Sequence, residues 1–380
     1  MQFKTQDNIL ILKQVERLIY LDKIEEALQE VENLQNKVEL NNKEKVQFQI
    51  LRSLIFDKLG KYTTSLEIAE HAFQEGQRLE NHILVTDAII SLANAKFRLD
   101  DFSTCLDVIN KGEKLLITTN KGHEKEIIDR IASLKYLKGK VYWKRGELNQ
   151  AYDLVRESFV KQDLENTYVT ADNYNILGII CVNKGEYDQA LNYLQKSLAM
   201  FEELGLKSSV VKSLNNIGQI YWRKGDLRQA LENYKMSLTR SEELGNNQFI
   251  AGISLNIGLL FWNMGELDSA LNFYNKSLEI SKGIDHKSAM AACLNGIGMI
   301  LQFKGELDQA LEFYQKSLVL EEKLGKKLDV ALCLNNIGEI HHIKGSFNEA
   351  SDYYKKSLAL FEEIGTNYHM CLALYNLVLV

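Results

Sequence analysis

Apolar residues along this chain recur with helical spacing, in stripes that end at glycines. Within the segment SLNNIGQIYWRKG, the positions i, i+3, i+4 and i+7 are occupied by Leu214, Ile217, Gly218 and Tyr221. A second stripe follows Gly225 and consists of Leu227, Ala230, Leu231, Tyr234 and Leu238. Each stripe predicts one face of an amphipathic helix. Because glycine tolerates the left-handed conformation that ends many helices, Gly225 and Gly245 predict the ends of the two helices of a hairpin.

The hairpin pattern repeats at a nearly constant interval. The phrase KGELDQALEFYQKSLVLEEKLG at residues 304–325 has close counterparts forty residues before it and forty residues after it. The turn position of each unit is filled by Asp22, Gly60, Asp100, Gly146, Gly185, Gly225, Gly265, Gly305 and Gly345, with spacings of 38, 40, 46 and 39 residues and then four of 40. Since one hairpin cannot bury both of its apolar stripes, neighbouring hairpins are expected to stack into one core. We therefore predict an all-α solenoid of about nine and a half antiparallel helical hairpins.

Small residues form two columns in this pattern. The column on the first helices is Gly139, Gly178, Gly218, Gly258, Gly298 and Gly338, and the column on the second helices is Ala151, Ala190, Ala230, Ala270, Ala310 and Ala350. Glycine inside a helix is about 1 kcal/mol less favourable than alanine. Its recurrence therefore predicts that neighbouring helices approach closely at these columns.

The units resemble tetratricopeptide repeats, in which an L-G-x-x-Y motif is followed by an A-x-x-x-F motif. The corresponding residues here are Ile217, Gly218, Tyr221, Ala230 and Tyr234. The resemblance is strongest from about residue 168 onward and weakens in the first two units. The family's early tryptophan and closing proline are missing, and the period of 40 residues is similar to that of kinesin light chain and Pins-type repeats. The resemblance implies a right-handed superhelix whose concave surface, lined by the first helices, binds an extended peptide.

The regularity of the repeats predicts two regions. Residues 1–123 are interpreted as divergent N-terminal repeats and residues 124–380 as a regular array, with Thr118 to His123 as an inserted loop or joint. The final segment, CLALYNLVLV, predicts the first helix of a tenth hairpin without its partner helix. Because terminal repeats generally need a polar outer face, either the chain continues beyond this helix or a partner, including a second copy of the chain, covers it.

Composition narrows the classes of partner. The chain of 380 residues is 46% hydrophobic and 25% charged, and it contains no proline, the strongest helix breaker. Its formal charge of -6 does not favour nucleic acid or an anionic membrane as the main partner. No apolar run is long enough to span a membrane, and the first residues do not resemble a secretory signal, so we expect a cytoplasmic protein. The five cysteines are isolated and predict reduced, buried thiols.

Asparagines fill two adjacent columns of the first helices. One column contains Asn175, Asn215, Asn295 and Asn335, and the next contains Asn216, Asn256, Asn336 and Asn376. Asparagine is a poor helix former, so propensity does not explain the columns. A carboxamide offers donors and an acceptor, so these side chains could bind the main chain of an extended peptide. The alternative is that the amides tie adjacent helices to each other or face water.

Aromatic and polar residues fill a further column, one turn along, which contains Trp143, Trp222, Trp262, Gln302 and His342. Tryptophan is common at binding hot spots, although rings at this spacing can equally pack between neighbouring helices. The predicted peptide-binding set comprises Asn175, Asn215, Asn216, Gln219, Trp222, Arg223, Asn256, Trp262, Asn295, Gln302, Asn335, Asn336 and His342.

Catalytic motifs do not emerge from the sequence. The Gly-Lys pairs lack the remainder of a P-loop, and neither G-x-S-x-G nor H-E-x-x-H occurs. His341 and His342 are adjacent, so on a helix they point about 100° apart and cannot both bind one metal. We predict a non-catalytic scaffold, without a cofactor or metal, that binds a peptide segment of a partner protein. The alternative function is the sensor region of a larger signalling protein.

Overall fold

The computed structural model describes residues 2–21, 23–37, 40–118, 124–159 and 168–380, which contain nineteen α-helices and no strand. Successive helices pair as antiparallel hairpins, so the prediction of an all-α array of stacked hairpins is confirmed. The predicted turn residue Asp22 and residues 119–123 of the predicted joint lie outside the described residues. The division near residue 123 therefore stays a prediction.

The helices belong to two compact units that divide within α11, between Ser213 and Leu214. The first unit contains α1 (Gln2–Tyr20), α2 (Ile24–Lys37), α3 (Asn42–Lys58), α4 (Tyr62–Arg78), α5 (His82–Arg98), α6 (Phe102–Ile117), α7 (Glu124–Lys144), α8 (Leu148–Phe159), α9 (Tyr168–Lys184), α10 (Tyr187–Glu203) and the start of α11 (Lys207–Arg223). The second unit contains the rest of α11, α12 (Leu227–Glu243), α13 (Asn247–Asn263), α14 (Leu267–Gly283), α15 (Lys287–Phe303), α16 (Leu307–Leu324), α17 (Lys327–Ile343), α18 (Phe347–Ile364) and α19 (Asn367–Val378).

The turn between α11 and α12 shows how each hairpin is made. Gly225 has a φ of +81°, which a residue with a side chain rarely adopts. Its amide donates to the carbonyl of Trp222 at 3.0 Å, and the amide of Asp226 donates to the carbonyl of Tyr221 at 2.9 Å. The Asp226 side chain then accepts from the amide of Gln229 and caps α12. The predicted helix end at Gly225 is confirmed.

The two helices of a hairpin meet at the glycine column. In the second unit Gly218, Gly258, Gly298 and Gly338 face the rings of Tyr234, Tyr274, Tyr314 and Tyr354, and a Cβ on any of these glycines would lie within 3 Å of the facing ring. The alanines of the other column, Ala230, Ala270, Ala310 and Ala350, are fully buried. The prediction of close approach at both columns is therefore confirmed.

A buried serine adds a second link within three hairpins of the second unit, those of α13–α14, α15–α16 and α17–α18. Ser277, Ser317 and Ser357, which lie on the second helices, donate to carbonyls on the first helices at 2.7 to 2.9 Å. The acceptors are Ala251, Ala291 and Ala331, each 26 residues earlier in the chain. Buried hydroxyls need a partner, and these bonds supply it without interrupting the apolar stripe.

In a hairpin of the first unit whose sequence diverges from the repeat, hydrogen bonds between two serines replace the glycine contact. In the hairpin of α3 and α4, Ser53 stands in the glycine column and Ser65 in the alanine column. Ser53 Oγ donates to the Ser65 carbonyl at 2.9 Å, and Ser65 Oγ donates to the Ser53 carbonyl at 2.8 Å. Reciprocal hydrogen bonds thus hold these helices together where glycine and alanine hold the later ones.

The last helix, α19, buries Ala373 and exposes much of its apolar surface, including Tyr368, Tyr375 and Val378. Self-association through this helix stays a prediction. Within the described parts of the chain, no helix combines the length and apolar character that crossing a membrane requires.

We predict that Gly298→Ala lowers the free energy of unfolding by about 1 to 3 kcal/mol, because the new methyl group would overpack the contact with Tyr314. The ideal Cβ position lies 2.8 Å from Cε1 of that ring. The matched control is Gly252→Ala in α13, where nothing lies within 4 Å of the added carbon. This control should raise the free energy of unfolding by up to about 1 kcal/mol through helix propensity.

Urea unfolding followed by circular dichroism measures both variants. Equal effects of the two substitutions would contradict the packing role assigned to Gly298.

Candidate functional site

The first helices of the second unit are joined to each other by side-chain amides. Asn256 on α13 donates to Asn215 on α11 at 2.9 Å, and Asn336 on α17 donates to Asn295 on α15 at 3.0 Å. The third pair links Asn376 on α19 to Asn335 on α17, also at 3.0 Å. Each bond joins Nδ2 of one residue to Oδ1 of a residue 41 positions earlier. The amides therefore tie adjacent first helices together. This is the alternative to peptide binding that the sequence left open.

Each amide bond uses only part of the hydrogen-bonding capacity of its two side chains. A carboxamide has two donor hydrogens and two acceptor lone pairs. Each bond uses one donor hydrogen of one side chain and one acceptor lone pair of the other. Asn215, Asn256, Asn295 and Asn336 are half-buried, so they remain accessible, whereas Asn335 is 5% exposed. A role for these residues in binding a peptide stays a proposal. Asn175, from the same predicted set, lies on α9 in the first unit.

The series of amide pairs is interrupted at one step, between α13 and α15. The two positions that would form that pair are Leu255 and Gly296. The Tyr274 ring fills the space beside Gly296, where a Cβ would lie 2.7 Å from the ring carbon Cζ. Both amides are absent together, which avoids leaving one half-buried amide without its partner.

A cavity of about 260 Å³ lies at this interruption. Its walls come from the first helices α13, α15 and α17 and from the second helices α14 and α16. Leu259, Met299 and Leu332 contribute apolar surface, while polar groups come from Asn256, Ser288, Asn295, Glu321, Lys326 and Asp329. The cavity thus combines an apolar wall with a charged end.

The residues of the predicted column that contains Trp222, Trp262, Gln302 and His342 do not form amide pairs with each other. Trp262 is half-buried and meets the exposed Phe303 ring edge-on at 6.0 Å, so it packs against the neighbouring first helix. Gln302 accepts a hydrogen bond from the Tyr314 hydroxyl at 2.7 Å. His342 lies 5.7 Å from the Phe347 ring. These residues support the packing alternative, and their role in ligand binding stays a proposal.

The remaining predicted residues, Gln219, Trp222 and Arg223, follow Asn215 and Asn216 along α11. Gln219 and Trp222 are half-buried and Arg223 is exposed. They lie in the second unit with the amide pairs.

Groups that could act in catalysis are sparse in the described part of the chain. It contains no cluster of three or more His, Cys, Asp or Glu side chains suited to a metal ion. Burial raises the pKa of Cys293 and of Cys333 to about 11, which keeps both thiols protonated and unreactive. His341 stacks on Tyr353 at 5.3 Å.

Sequence reasoning missed the charged end of the cavity, formed by Glu321, Lys326 and Asp329. The sequence signal was that Glu321 departs from the residue types of its column. From α10 onward, the other repeats fill the column that contains Glu321 with Phe201, Ser241, Ser281 and Phe361. A charged residue at a position that these repeats fill with phenylalanine or serine is visible in the sequence.

Comparison with known sequences agrees with this architecture. A sequence model of the tetratricopeptide repeat matches residues 163–243, 209–283, 249–320 and 289–363. A TPR repeat-containing protein of Methanocaldococcus jannaschii is 30% identical over 118 residues, which are 31% of this chain and 18% of that protein. The chain therefore spans less than a fifth of the length of that curated relative.

Two solved structures share the fold. A signal transduction ATPase with a tetratricopeptide repeat sensor, from Pyrococcus horikoshii, has a TM-score of 0.66 at 13% identity over 92% of this chain and 55% of that protein. The Rap conjugation gene regulator of the plasmid pLS20, in complex with a Phr peptide, has a TM-score of 0.54 at 16% identity over 93% of this chain and 95% of that protein. At these identities the likeness establishes the fold alone.

We predict that Asn295 and Asn336 are energetically coupled. Replacing either one by alanine leaves the other amide without its partner, so the double variant should lose less stability than the sum of the single variants. The expected coupling is about 1 kcal/mol, measured by urea unfolding in a double-mutant cycle. A control cycle pairs Asn295 with the exposed Asn348 on α18 and should be additive. Additive effects in both cycles would show that the amide bond contributes nothing.

Proposed function

The chain belongs to the tetratricopeptide repeat family, and from that premise we propose that its second unit binds an extended peptide segment of a partner protein. The binding surface would be the amide face, which we define as Asn215, Asn216, Asn256, Asn295, Asn335 and Asn336 on the first helices. The observation that carries the proposal is the repeated amide pair, because each pair presents unused donors and acceptors at one step of the array.

Amide pairs suit the main chain of a peptide. An extended peptide repeats a donor and an acceptor at every residue, and a fixed carboxamide can bind either group without requiring a particular side chain. The inter-helix bond holds each amide in place before the peptide arrives, which lowers the entropic cost of binding. With a net contribution of about 1 kcal/mol from each hydrogen bond, affinity would be distributed over several steps.

Other observations are compatible with a protein or peptide partner. The formal charge of -6 disfavours nucleic acid. The structurally similar Rap regulator was solved with a peptide, which supports the same class of ligand here. A cytoplasmic location stays part of the proposal.

The sensor alternative has one supporting observation. The similar Pyrococcus horikoshii protein carries its repeats as a sensor, and this chain covers 55% of that protein. Peptide binding by the amide face is compatible with both functions, and the experiment below tests that binding.

The test begins with the selection of random linear peptides on the full chain, followed by titration of the selected peptides. The informative variant carries Asn215→Ala together with Asn256→Ala, which removes both partners of one bond and leaves neither amide unpaired. Loss of one or two peptide hydrogen bonds should weaken binding about tenfold. The matched control is Asn272→Ala, at an exposed asparagine on the second helix α14.

The expected result is weaker binding in the double variant and unchanged binding in the control, with helical content preserved in both. The proposal is wrong if no peptide is selected, or if the double variant binds the selected peptides as tightly as the wild-type chain does.

A further inference from the structure

Glu321 is a buried carboxylate at a position where the neighbouring repeats have no charge. It lies on α16 near the end of the second helix and is 4% exposed. The equivalent residue is Ser281 in the preceding repeat and Phe361 in the following one. Because both neighbours fill this position without a charge, the fold does not require a carboxylate here.

The carboxylate has no hydrogen-bond partner for its Oε2 atom. The nearest cation is Lys326, whose Nζ lies 3.8 Å from that oxygen, beyond hydrogen-bonding distance. Lys326 instead donates to Ser288 Oγ at 2.5 Å and lies 3.6 Å from Asp329 Oδ2. Two carboxylates thus share one ammonium group, and this end of the cavity carries one uncompensated negative charge.

A buried carboxylate oxygen that accepts no hydrogen bond and faces a shared ammonium group only at 3.8 Å destabilises the folded chain. Burial raises the pKa of Glu321, the Lys326 ammonium lowers it, and the Asp329 carboxylate raises it further. Of the other titratable groups that line the cavity, Tyr274 and Cys333 also have raised pKa values because of burial. They therefore stay neutral and supply no charge to balance Glu321. The carboxylate of Glu321 is therefore a destabilising group. The preceding repeat has Ser281 at the same position, so the fold can form without this carboxylate.

The shape of the cavity indicates what would balance the charge. Leu259, Met299 and Leu332 form an apolar wall, and Glu321 and Asp329 lie at the polar end. A long aliphatic side chain with a cationic head would pack its stem on the apolar wall and place its charge at the carboxylates. The cavity lies among first helices that carry the amide face, and Leu255 and Gly296, the positions of the missing pair, are part of its lining.

We propose that this cavity binds the positively charged side chain, an arginine guanidinium or a lysine ammonium, of the peptide that the amide face holds. The proposal rests on the proposed function and adds a specificity pocket to it. A neutral or anionic side chain would leave Glu321 without a partner, so the pocket selects for charge as well as for length.

The first experiment compares peptides selected on the wild-type chain with peptides selected on Glu321→Gln. Wild-type selection should enrich arginine or lysine at one peptide position, and the selection on Glu321→Gln should not. A selected peptide and its counterpart with norleucine at that position are then titrated, and the cationic peptide should bind the wild-type chain about tenfold more tightly. Glu321→Gln should bind the two peptides equally. Glu322→Gln, at the exposed neighbouring residue, is the matched control and should keep the preference.

The second experiment measures thermal unfolding without peptide, so it is independent of the proposed function. A carboxyl with a raised pKa in the folded chain stabilises the fold below its unfolded pKa of about 4.3, and that stability is lost as pH rises through the folded pKa. Glu321→Gln should therefore melt at a higher temperature than the wild-type chain near neutral pH, and the difference should vanish in acid. Glu321→Ser, which copies Ser281, gives the same comparison if the glutamine variant folds poorly.

The outcomes separate the two proposals. If peptides bind through the amide face but show no cationic position, or keep it in Glu321→Gln, the pocket is wrong and the proposed function stands. If Glu321→Gln melts lower near neutral pH, Glu321 is a structural partner and the pocket is wrong. If no peptide binds the wild-type chain, both proposals fail.

Discussion

The contact between a glycine on one helix and a tyrosine ring on the next is the constraint on which the second unit depends. At Gly298 the absence of a side chain lets the Tyr314 ring lie against the helix backbone. The same contact at Gly258 and Gly338 gives the two helices within each of these hairpins a similarly close approach. Hairpins of this kind recur every 40 residues, and a single sequence separation of 41 residues joins each of the three amide pairs.

The amide pairs and the cavity are two results of this regular spacing. Where both pair positions carry asparagine, the side chains bond to each other and keep part of their capacity for another partner. Both positions change at Leu255 and Gly296, and there the Tyr274 ring of α14 lies against α15 at Gly296. The cavity lies beside this missing pair, and Glu321 on α16 contributes to its wall.

Much of this fold was predictable from the sequence because it depends on local periodicity. The stripes around Ile217 and Leu231, the turn at Gly225 and the close approach at Gly298 all follow from residue types at fixed spacing. The hydrogen-bond partners of the amides could not be predicted from the sequence, because a column of asparagines is compatible with inter-helix bonds, with peptide binding or with both. Glu321 was missed because its meaning depends on Lys326 and Asp329, which come from the next turn and the next helix. Side-chain partners across hairpins require the three-dimensional arrangement.

The missing amide pair at Leu255 and Gly296 also restricts the order in which the repeats can follow one another along the chain. The repeat that begins with α13 meets its predecessor through Asn256 and its successor through Leu255, whereas the repeat that begins with α15 meets its predecessor through Gly296. If the α17 repeat directly followed the α13 repeat, Asn336 would face leucine and lose its acceptor. The array is therefore not a set of interchangeable modules. Deletion of the α15 repeat, or duplication of either the α13 or the α15 repeat, would leave an amide unpaired, so the neighbours of these repeats are specified chemically.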